Sequence, residues 1–119
     1  MAFAGRRRSW RFTNFPPGNV IMADEFGVEQ TFAAFLDQRP GVPPAEKYKG
    51  LGGKAYPPDK EKEFGAKYAP PGLRAYASPD GIHWKPLRKE PVIPGAWGKF
   101  DSQNVVFWSE HEELYCCYF

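Results

Sequence analysis

The residues best suited to chemistry stand together in the polar stretch "DSQN", at positions 101–104, directly before a run of apolar residues. Asp101 supplies a carboxylate, and the amides of Gln103 and Asn104 are suited to hydrogen-bonding the hydroxyl groups of a sugar. Strand alternation would place Asp101 and Gln103 on one side and Ser102 and Asn104 on the other, unless a bulge intervenes. Asp101 is therefore either a functional carboxylate or a residue at the start of a strand whose carboxylate accepts bonds from nearby backbone amides, and both interpretations stay open.

Three further places carry side chains of related chemistry. Asp37 ends the stretch "TFAAFLD" and is a second candidate catalytic carboxylate, although "LDQRPG" also fits an ordinary Asx-turn. Trp97, within "PGAWGKF", could stack on a sugar ring or pack over a neighbouring hairpin. Asp24 and Glu25 precede a predicted strand and could face a pocket.

The sequence carries no recognisable cofactor or metal motif. His83 and His111 are far apart and lack cysteine partners at chelating spacing, so they make no case for zinc. No Gly-rich phosphate loop, serine nucleophile elbow or P-loop occurs. Cys116 and Cys117 are adjacent, and neighbours on a strand point to opposite faces, so they are poorly placed for a mutual disulfide. We expect neither a cofactor nor a metal.

Composition and charge narrow the class of protein. The 119 residues include 12 Gly and 13 Pro, together about a fifth of the chain against a usual share of roughly 12%, which favours short strands and turns. The formal net charge of +2 is too small to predict a nucleic-acid partner, and the basic cluster at 6–8 fits a solvated terminus. No apolar run approaches the roughly 18 residues that span a membrane. The start "MAFAGRRRSW" lacks the apolar centre of a signal peptide. The sequence therefore leaves the localisation unknown, and we expect an extracellular or periplasmic protein if a signal peptide lies upstream.

Short extended runs separated by turns predict an all-β architecture. Early strands are predicted at residues 10–13, 19–22, 29–36 and 47–53. A long polar loop over 54–71 follows, with room for one helical turn. Two hairpins come next, one over 72–87 about a Pro-Asp-Gly turn and one over 104–119, in which "NVVFW" pairs with "ELYCCYF". In the first hairpin Leu73, Ala75 and Ala77 alternate with Arg74, Tyr76 and Ser78.

The turn of the first hairpin carries a resemblance to a known motif. "SPDGIHW" resembles a shortened Asp-box, the Ser-x-Asp-x-Gly-x-x-Trp turn of sialidases, with one residue missing between Asp80 and Gly81. An Asp carboxylate accepts backbone N–H bonds across its own turn, Gly81 supplies a positive φ, and Trp84 packs its indole between neighbouring sheets. These three residues are therefore expected to be structural and not catalytic.

The order of motifs over residues 18–119 is similar to a bacterial branch of the five-bladed β-propeller glycoside hydrolases, the invertase, levansucrase and arabinanase group. The likeness is carried by "TFAAFLD", "KYKG", "SPDGIHW" and "FDSQN". It implies that Asp101 is a third acid, which orients the sugar and supports an oxocarbenium-like transition state. Phe100 and Ser102 replace the Arg and Pro that flank this Asp in the family, and the family's nucleophile and acid boxes are not found.

We therefore expect a basic segment over 1–17 and an incomplete propeller domain over 18–119. Blades commonly run ~40–50 residues, so the chain would hold about one and a half to two and a half of them, with long loops. The expected function is that of a fragment of a glycoside hydrolase acting on oligo- or polysaccharides, inactive alone. One alternative is a module that binds carbohydrate on Trp97, Tyr76 and Trp84 without cleaving it. Another is a module that self-associates through exposed strand edges.

Overall fold

The structure, a computed structural model, describes residues 21–22 and 28–119. The basic segment, the predicted strand at 10–13 and the first half of the predicted strand at 19–22 lie outside these residues, while Ile21 and Met22 are in no strand. The described chain is mostly β, and its strand pairs are antiparallel. Within it, no helix has both the length and the apolar character needed to cross a membrane.

Two short helices and seven strands make up the described chain. The helices are α1 (Val28–Thr31) and α2 (Glu61–Lys67). The strands are β1 (Ala33–Leu36), β2 (Tyr48–Lys54), β3 (Gly72–Ser78), β4 (Lys85–Pro86), β5 (Ile93–Pro94), β6 (Val105–Ser109) and β7 (Leu114–Tyr118). Single 3-10 turns lie at Pro44–Glu46, Pro58–Lys60 and Gly95–Trp97.

The first sheet is an antiparallel meander in the order β1-β2-β3-β4, and β5 pairs with β3 as well. The two short strands share the fourth position, because Pro86 of β4 lies opposite Tyr76 and Pro94 of β5 lies opposite Gly72 at the other end of β3. The second sheet is the β6–β7 hairpin, with Val105 opposite Tyr118 and Ser109 opposite Leu114. The strand predicted at 47–53 and the hairpin predicted over 104–119 are thereby confirmed. The hairpin predicted over 72–87 is half right, because its first strand is β3 while its second is reduced to the two residues of β4.

The strand predicted over 29–36 is only half right, because its first part is the helical turn α1 and only β1 is extended. Two glycines of β2 explain the difference. A Cβ on Gly52 would lie 3.0 Å from the carbonyl oxygen of Val28, and one on Gly50 would collide with the ring of Phe32. The missing side chains let α1 lie directly against β2, with Val28 buried. The predicted polar loop over 54–71 contains α2 and one 3-10 turn.

The hydrophobic core lies between the first sheet and the β6–β7 hairpin. Leu51, Leu73 and Phe100 are buried there, and Val106 and Cys117 of the hairpin pack against them. The opposite face of the sheet is also covered, since the ring of Phe32 lies 5.7 Å from that of Tyr76 on β3. The alternation in β3 therefore separates two buried faces, and does not separate a buried face from a solvated one.

The close contact between β2 and β3 makes Gly53 a sensitive position. Gly53 has a φ of +141°, and a Cβ there would collide with the carbonyl oxygen of Gly72. We expect Gly53→Ala to lower the free energy of unfolding, measured by urea denaturation, by at least about 2 kcal/mol. Gly65→Ala is the matched control, because its nearest neighbour would be the Tyr56 ring at 4.0 Å. In helix α2 this change should be neutral or stabilise by up to about 1 kcal/mol. Equal effects of the two substitutions would contradict the packing described.

Candidate functional site

An open cleft of about 400 Å³ is formed where the segment before β6 passes the start of β1. Its lining comprises Thr31, Phe32, Ala33, Asp101, Ser102 and Gln103. The last three of these residues are exposed, and they directly follow Phe100, whose ring is buried in the core. Phe100 has a φ of +56°, an uncommon conformation for a residue with a side chain. The buried ring thus anchors a turn that presents three polar side chains to solvent.

The opposite wall of the Asp101 cleft is held firmly by contacts to the first sheet. The Thr31 hydroxyl donates to the carbonyl oxygen of Gly53 at 3.0 Å and accepts from its N–H at 3.1 Å. The Phe32 ring makes T-shaped contacts with the rings of Tyr76 and Trp84, whose centroids are 5.7 and 4.8 Å away. The wall therefore combines a fixed aromatic ring with backbone that is already hydrogen-bonded.

The predicted alternation of the 101–104 stretch is wrong, because these residues precede β6 and do not form part of the strand. Asp101 and Gln103 share the cleft as expected, but Ser102 lines it with them. Asn104 is only 1% exposed, and its amide donates to the carbonyl oxygen of Ser102 at 3.2 Å. Asn104 is not among the residues that line the cleft, and its amide shapes the turn instead. Its sugar-binding role stays a prediction.

Trp97 is separate from this cleft. It ends the 3-10 turn Gly95–Trp97, its side chain is 71% exposed, and it is not among the residues that line the cleft. The alternative in which Trp97 packs over the hairpin does not fit such exposure. Asp24 and Glu25 lie outside the described residues.

The residues of the Asp-box-like turn hold one another in place. The Asp80 carboxylate accepts from the backbone N–H of His83 at 2.8 Å and of Ile82 at 2.9 Å, and Gly81 has a φ of +77°. The backbone bond from His83 is the largest of the contacts that hold the pKa of Asp80 well below its usual value. Trp84 donates its indole N–H to the carbonyl oxygen of Gly81 at 3.1 Å and packs on Phe32. The turn therefore supports the Phe32 wall of the Asp101 cleft.

Asp37 is buried and binds three donors from different parts of the chain. Its carboxylate accepts from the Lys49 ammonium of β2 at 2.8 Å, from the Tyr115 hydroxyl of β7 at 2.7 Å and from the Arg39 backbone N–H at 3.0 Å. The bond from Arg39 is that of the Asx-turn considered from the sequence. Burial raises the pKa of Asp37, but the bonds from Lys49, Tyr115 and Arg39 together hold it below the usual 3.8. Asp37 is not part of the Asp101 cleft.

The partners of Asp37 were missed by sequence reasoning. Lys49 lies on a strand whose centre is buried, and its ammonium is also bonded to the Glu46 backbone oxygen at 3.0 Å and to its carboxylate at 3.1 Å. A lysine at the second position of "YKGLGG", a strand rich in small and apolar residues, is a signal for a buried ion pair, because an unpaired buried ammonium would be costly. Tyr115 lies 78 residues from Asp37, and no local pattern connects the two.

A second cleft, of about 430 Å³, lies between the first sheet and the hairpin. Its walls are mostly apolar and include Phe35, Leu51, Ala75, Ile93, Val106 and Cys117. Lys49 and Tyr115 also reach it, but the ammonium and the hydroxyl are engaged by Asp37 and Glu46. This apolar cleft is therefore poorly suited to a ligand rich in hydroxyl groups.

Over residues 21–22 and 28–119, no group of three or more His, Cys, Asp or Glu side chains is arranged to hold a metal ion. Comparison with protein-family models, with curated proteins and with solved structures finds no match to this chain. Function must therefore be argued from the two clefts and their side chains.

The bonds to Asp37 predict an acid-dependent contribution to stability. Asp37→Asn leaves the Lys49 ammonium without its buried carboxylate, and should lower the free energy of unfolding by about 3 kcal/mol at neutral pH. Because the folded-state pKa of Asp37 lies below the usual 3.8, this stability is complete above that value and is lost as the pH falls through the folded-state pKa. Denaturation at a series of pH values should show the difference from wild type shrinking below about pH 4. Asp59→Asn, at an exposed residue, should change stability by less than about 0.5 kcal/mol at any pH.

The same cluster predicts a change at alkaline pH. Burial and the bond to Asp37 raise the pKa of Tyr115 from 10.0 to about 12. Its contribution is therefore complete below pH 10 and is lost as the pH rises through the folded-state value. Tyr115→Phe should cost about 1 kcal/mol at neutral pH, and its difference from wild type should shrink between pH 10 and 12. Tyr48→Phe is the control, because the contact of Tyr48 with Lys47 is made by the ring, which phenylalanine keeps. The assignment fails if Tyr115→Phe and wild type lose stability in parallel over this range.

Proposed function

We propose that this chain is a carbohydrate-binding part of a propeller glycoside hydrolase, with the sugar in the Asp101 cleft. The observation that carries the proposal is that the consecutive residues Asp101, Ser102 and Gln103 present a carboxylate, a hydroxyl and an amide to one cleft. In the proposed enzyme Asp101 orients the sugar and supports the positive charge that develops at its ring.

The chemistry of the cleft favours a sugar over an apolar ligand. A carboxylate, a hydroxyl and an amide provide both donors and acceptors, as neighbouring sugar hydroxyls require. The Phe32 ring adds an apolar wall of the kind that packs against sugar C–H groups. The apolar cleft between the sheets offers no comparable set of polar groups, because Lys49 and Tyr115 are already bonded.

The arrangement of strands supports the propeller part of the proposal. Propeller blades are four-stranded antiparallel sheets, and neighbouring blades pack face to face. The first sheet has four strand positions in meander order, and the β6–β7 hairpin packs across its face through Val106 and Cys117. We interpret the first sheet as one blade and the hairpin as the first strands of another.

Hydrolysis makes a further demand on carboxylates. Cleavage of a glycosidic bond uses two carboxyl groups, about 5–5.5 Å apart for retention or about 6.5–9.5 Å apart for inversion. Among the described residues, Asp101 is the only acid that lines the cleft. We therefore expect the 119-residue chain to bind a sugar without cleaving it, and the catalytic pair to come from other parts of the enzyme.

Binding is tested by titrating the chain with neutral arabino-, fructo- and xylo-oligosaccharides while recording backbone amide NMR spectra. We expect shifts concentrated at residues 31–33 and 101–103. Asp101→Ala should weaken the affinity about tenfold, because it removes a charged acceptor of sugar hydroxyls. Asp59→Ala, at an exposed residue outside the cleft, should leave the affinity unchanged. Failure of all three sugars to bind, or equal losses in the two variants, would overturn the proposal.

A parallel measurement of reducing-sugar release separates the binding part from the catalytic part. Binding without release supports the role given to Asp101 in the isolated chain. Steady release of reducing sugar by this chain would show that both catalytic carboxyl groups are already present in it. That result would overturn the proposal that the catalytic pair comes from other parts of the enzyme.

A further inference from the structure

The Asp101 cleft holds one ionisable side chain, and that side chain is not paired within the protein. Of the six described residues that line the cleft, only Asp101 is acidic or basic. Within the part of the chain that the structure describes, its carboxylate takes part in no ion pair or hydrogen bond. Asp37 and Asp80, by contrast, each accept from three or more donors. The negative charge of Asp101 is therefore available to a ligand.

No lysine, arginine or histidine is among the described residues that line this cleft. Lys99 stands two residues before Asp101, but its side chain is exposed and it does not belong to the lining. The other polar side chains, Ser102 and Gln103, are neutral, and the opposite wall presents the Phe32 ring. Aromatic rings attract cations through the negative potential of their faces. The cleft therefore has the electrostatic character of a site for a positively charged group.

We propose, building on the proposed sugar site, that the Asp101 cleft prefers sugars with a free amine over neutral sugars, and neutral sugars over acidic ones. The ammonium of an amino sugar donates charge-assisted hydrogen bonds to a carboxylate, and these are stronger than the bonds from a hydroxyl. A uronic acid instead brings a second carboxylate towards Asp101, and this repulsion selects against it. Glucosamine and galacturonic acid units represent the two extremes.

The overall charge of the chain does not explain such a preference. The formal net charge is +2, so long-range attraction favours acidic sugars over amino sugars. A preference in the opposite direction must come from a local contact, and Asp101 is the residue placed to supply it. Because Asp101 is exposed, its ion pair with an ammonium is of the kind that contributes little. We therefore expect the preference for the amine to be about fivefold.

Isothermal titration calorimetry with a matched pair of sugars tests the preference. The trimer of glucosamine and its N-acetylated form share one skeleton and differ in charge, and the trimer of galacturonic acid is the acidic probe. The titration is done in low salt at about pH 6, between the usual pKa values of a carboxyl and an amine. We expect the amino trimer to bind about fivefold more tightly than the acetylated trimer, and the acidic trimer to bind most weakly. Salt at about 0.5 M should remove most of the difference, because it screens an exposed ion pair.

Two variants with the same change of charge separate the cleft from the rest of the surface. Asp101→Asn keeps the shape of the side chain and removes its charge, so the two glucosamine trimers should bind it equally, apart from the effect of the acetyl group. Asp59→Asn removes the same charge at an exposed residue outside the cleft, and should keep the preference of the wild-type chain. Taking the ratio of the two affinities in each chain cancels the contribution of the acetyl group itself.

Failure of the preference and failure of the proposed function give different results. Backbone amide NMR spectra should place the shifts caused by the amino trimer at residues 31–33 and 101–103. The preference is overturned, and the sugar site stands, if neutral sugars shift these residues but the wild-type affinity ratio is unchanged in Asp101→Asn. Tighter binding of the acidic trimer, or shifts caused by the amino trimer elsewhere, would overturn the preference as well. If neither the glucosamine trimers nor the neutral oligosaccharides bind, the proposed function is wrong and the preference falls with it.

Discussion

The position of the hairpin depends on one buried carboxylate. Asp37 follows β1 and binds Lys49 of β2 and Tyr115 of β7, so a single side chain joins both sheets. The remaining contacts across this junction are largely apolar, and apolar burial is not directional. The hydrogen bonds therefore select one placement among those that the core would tolerate. That placement in turn seats Phe100 in the core and brings the turn after it to the surface beside α1.

The sequence predicts those elements whose signals are local. The alternating strands of the second half, the tight turn around Asp80 and Gly81, and the pairing of "NVVFW" with "ELYCCYF" follow from turn chemistry and β-propensity. The helical turn α1 is not predictable in this way, because it depends on two glycines of β2, a strand further along the chain. The bond between Asp37 and Tyr115 is likewise a product of tertiary packing. Of the candidate site, the grouping of Asp101 with Gln103 was foreseen, whereas the burial of Asn104 was not.

The two clefts differ in whether their polar side chains are already hydrogen-bonded within the protein. In the cleft between the sheets, the Lys49 ammonium and the Tyr115 hydroxyl already donate hydrogen bonds to other residues of the chain. In the Asp101 cleft, the polar side chains follow a buried aromatic anchor and remain exposed. Asp101, Ser102 and Gln103 can stay exposed because their neighbours hold the turn in place. The buried ring of Phe100 anchors it on one side, and the Asn104 amide bonds to the Ser102 carbonyl oxygen on the other.

The divided fourth strand of the first sheet limits how this sheet can grow. Two of its four residues, Pro86 of β4 and Pro94 of β5, have no N–H group to offer a further strand. The six residues numbered 87–92 lie between the two pairing sites and belong to no strand. An added chain would therefore find an interrupted ladder along this side, which discourages the edge-to-edge stacking that leads to fibrils. On its β4–β5 side, the first sheet therefore offers a poor template for a further strand.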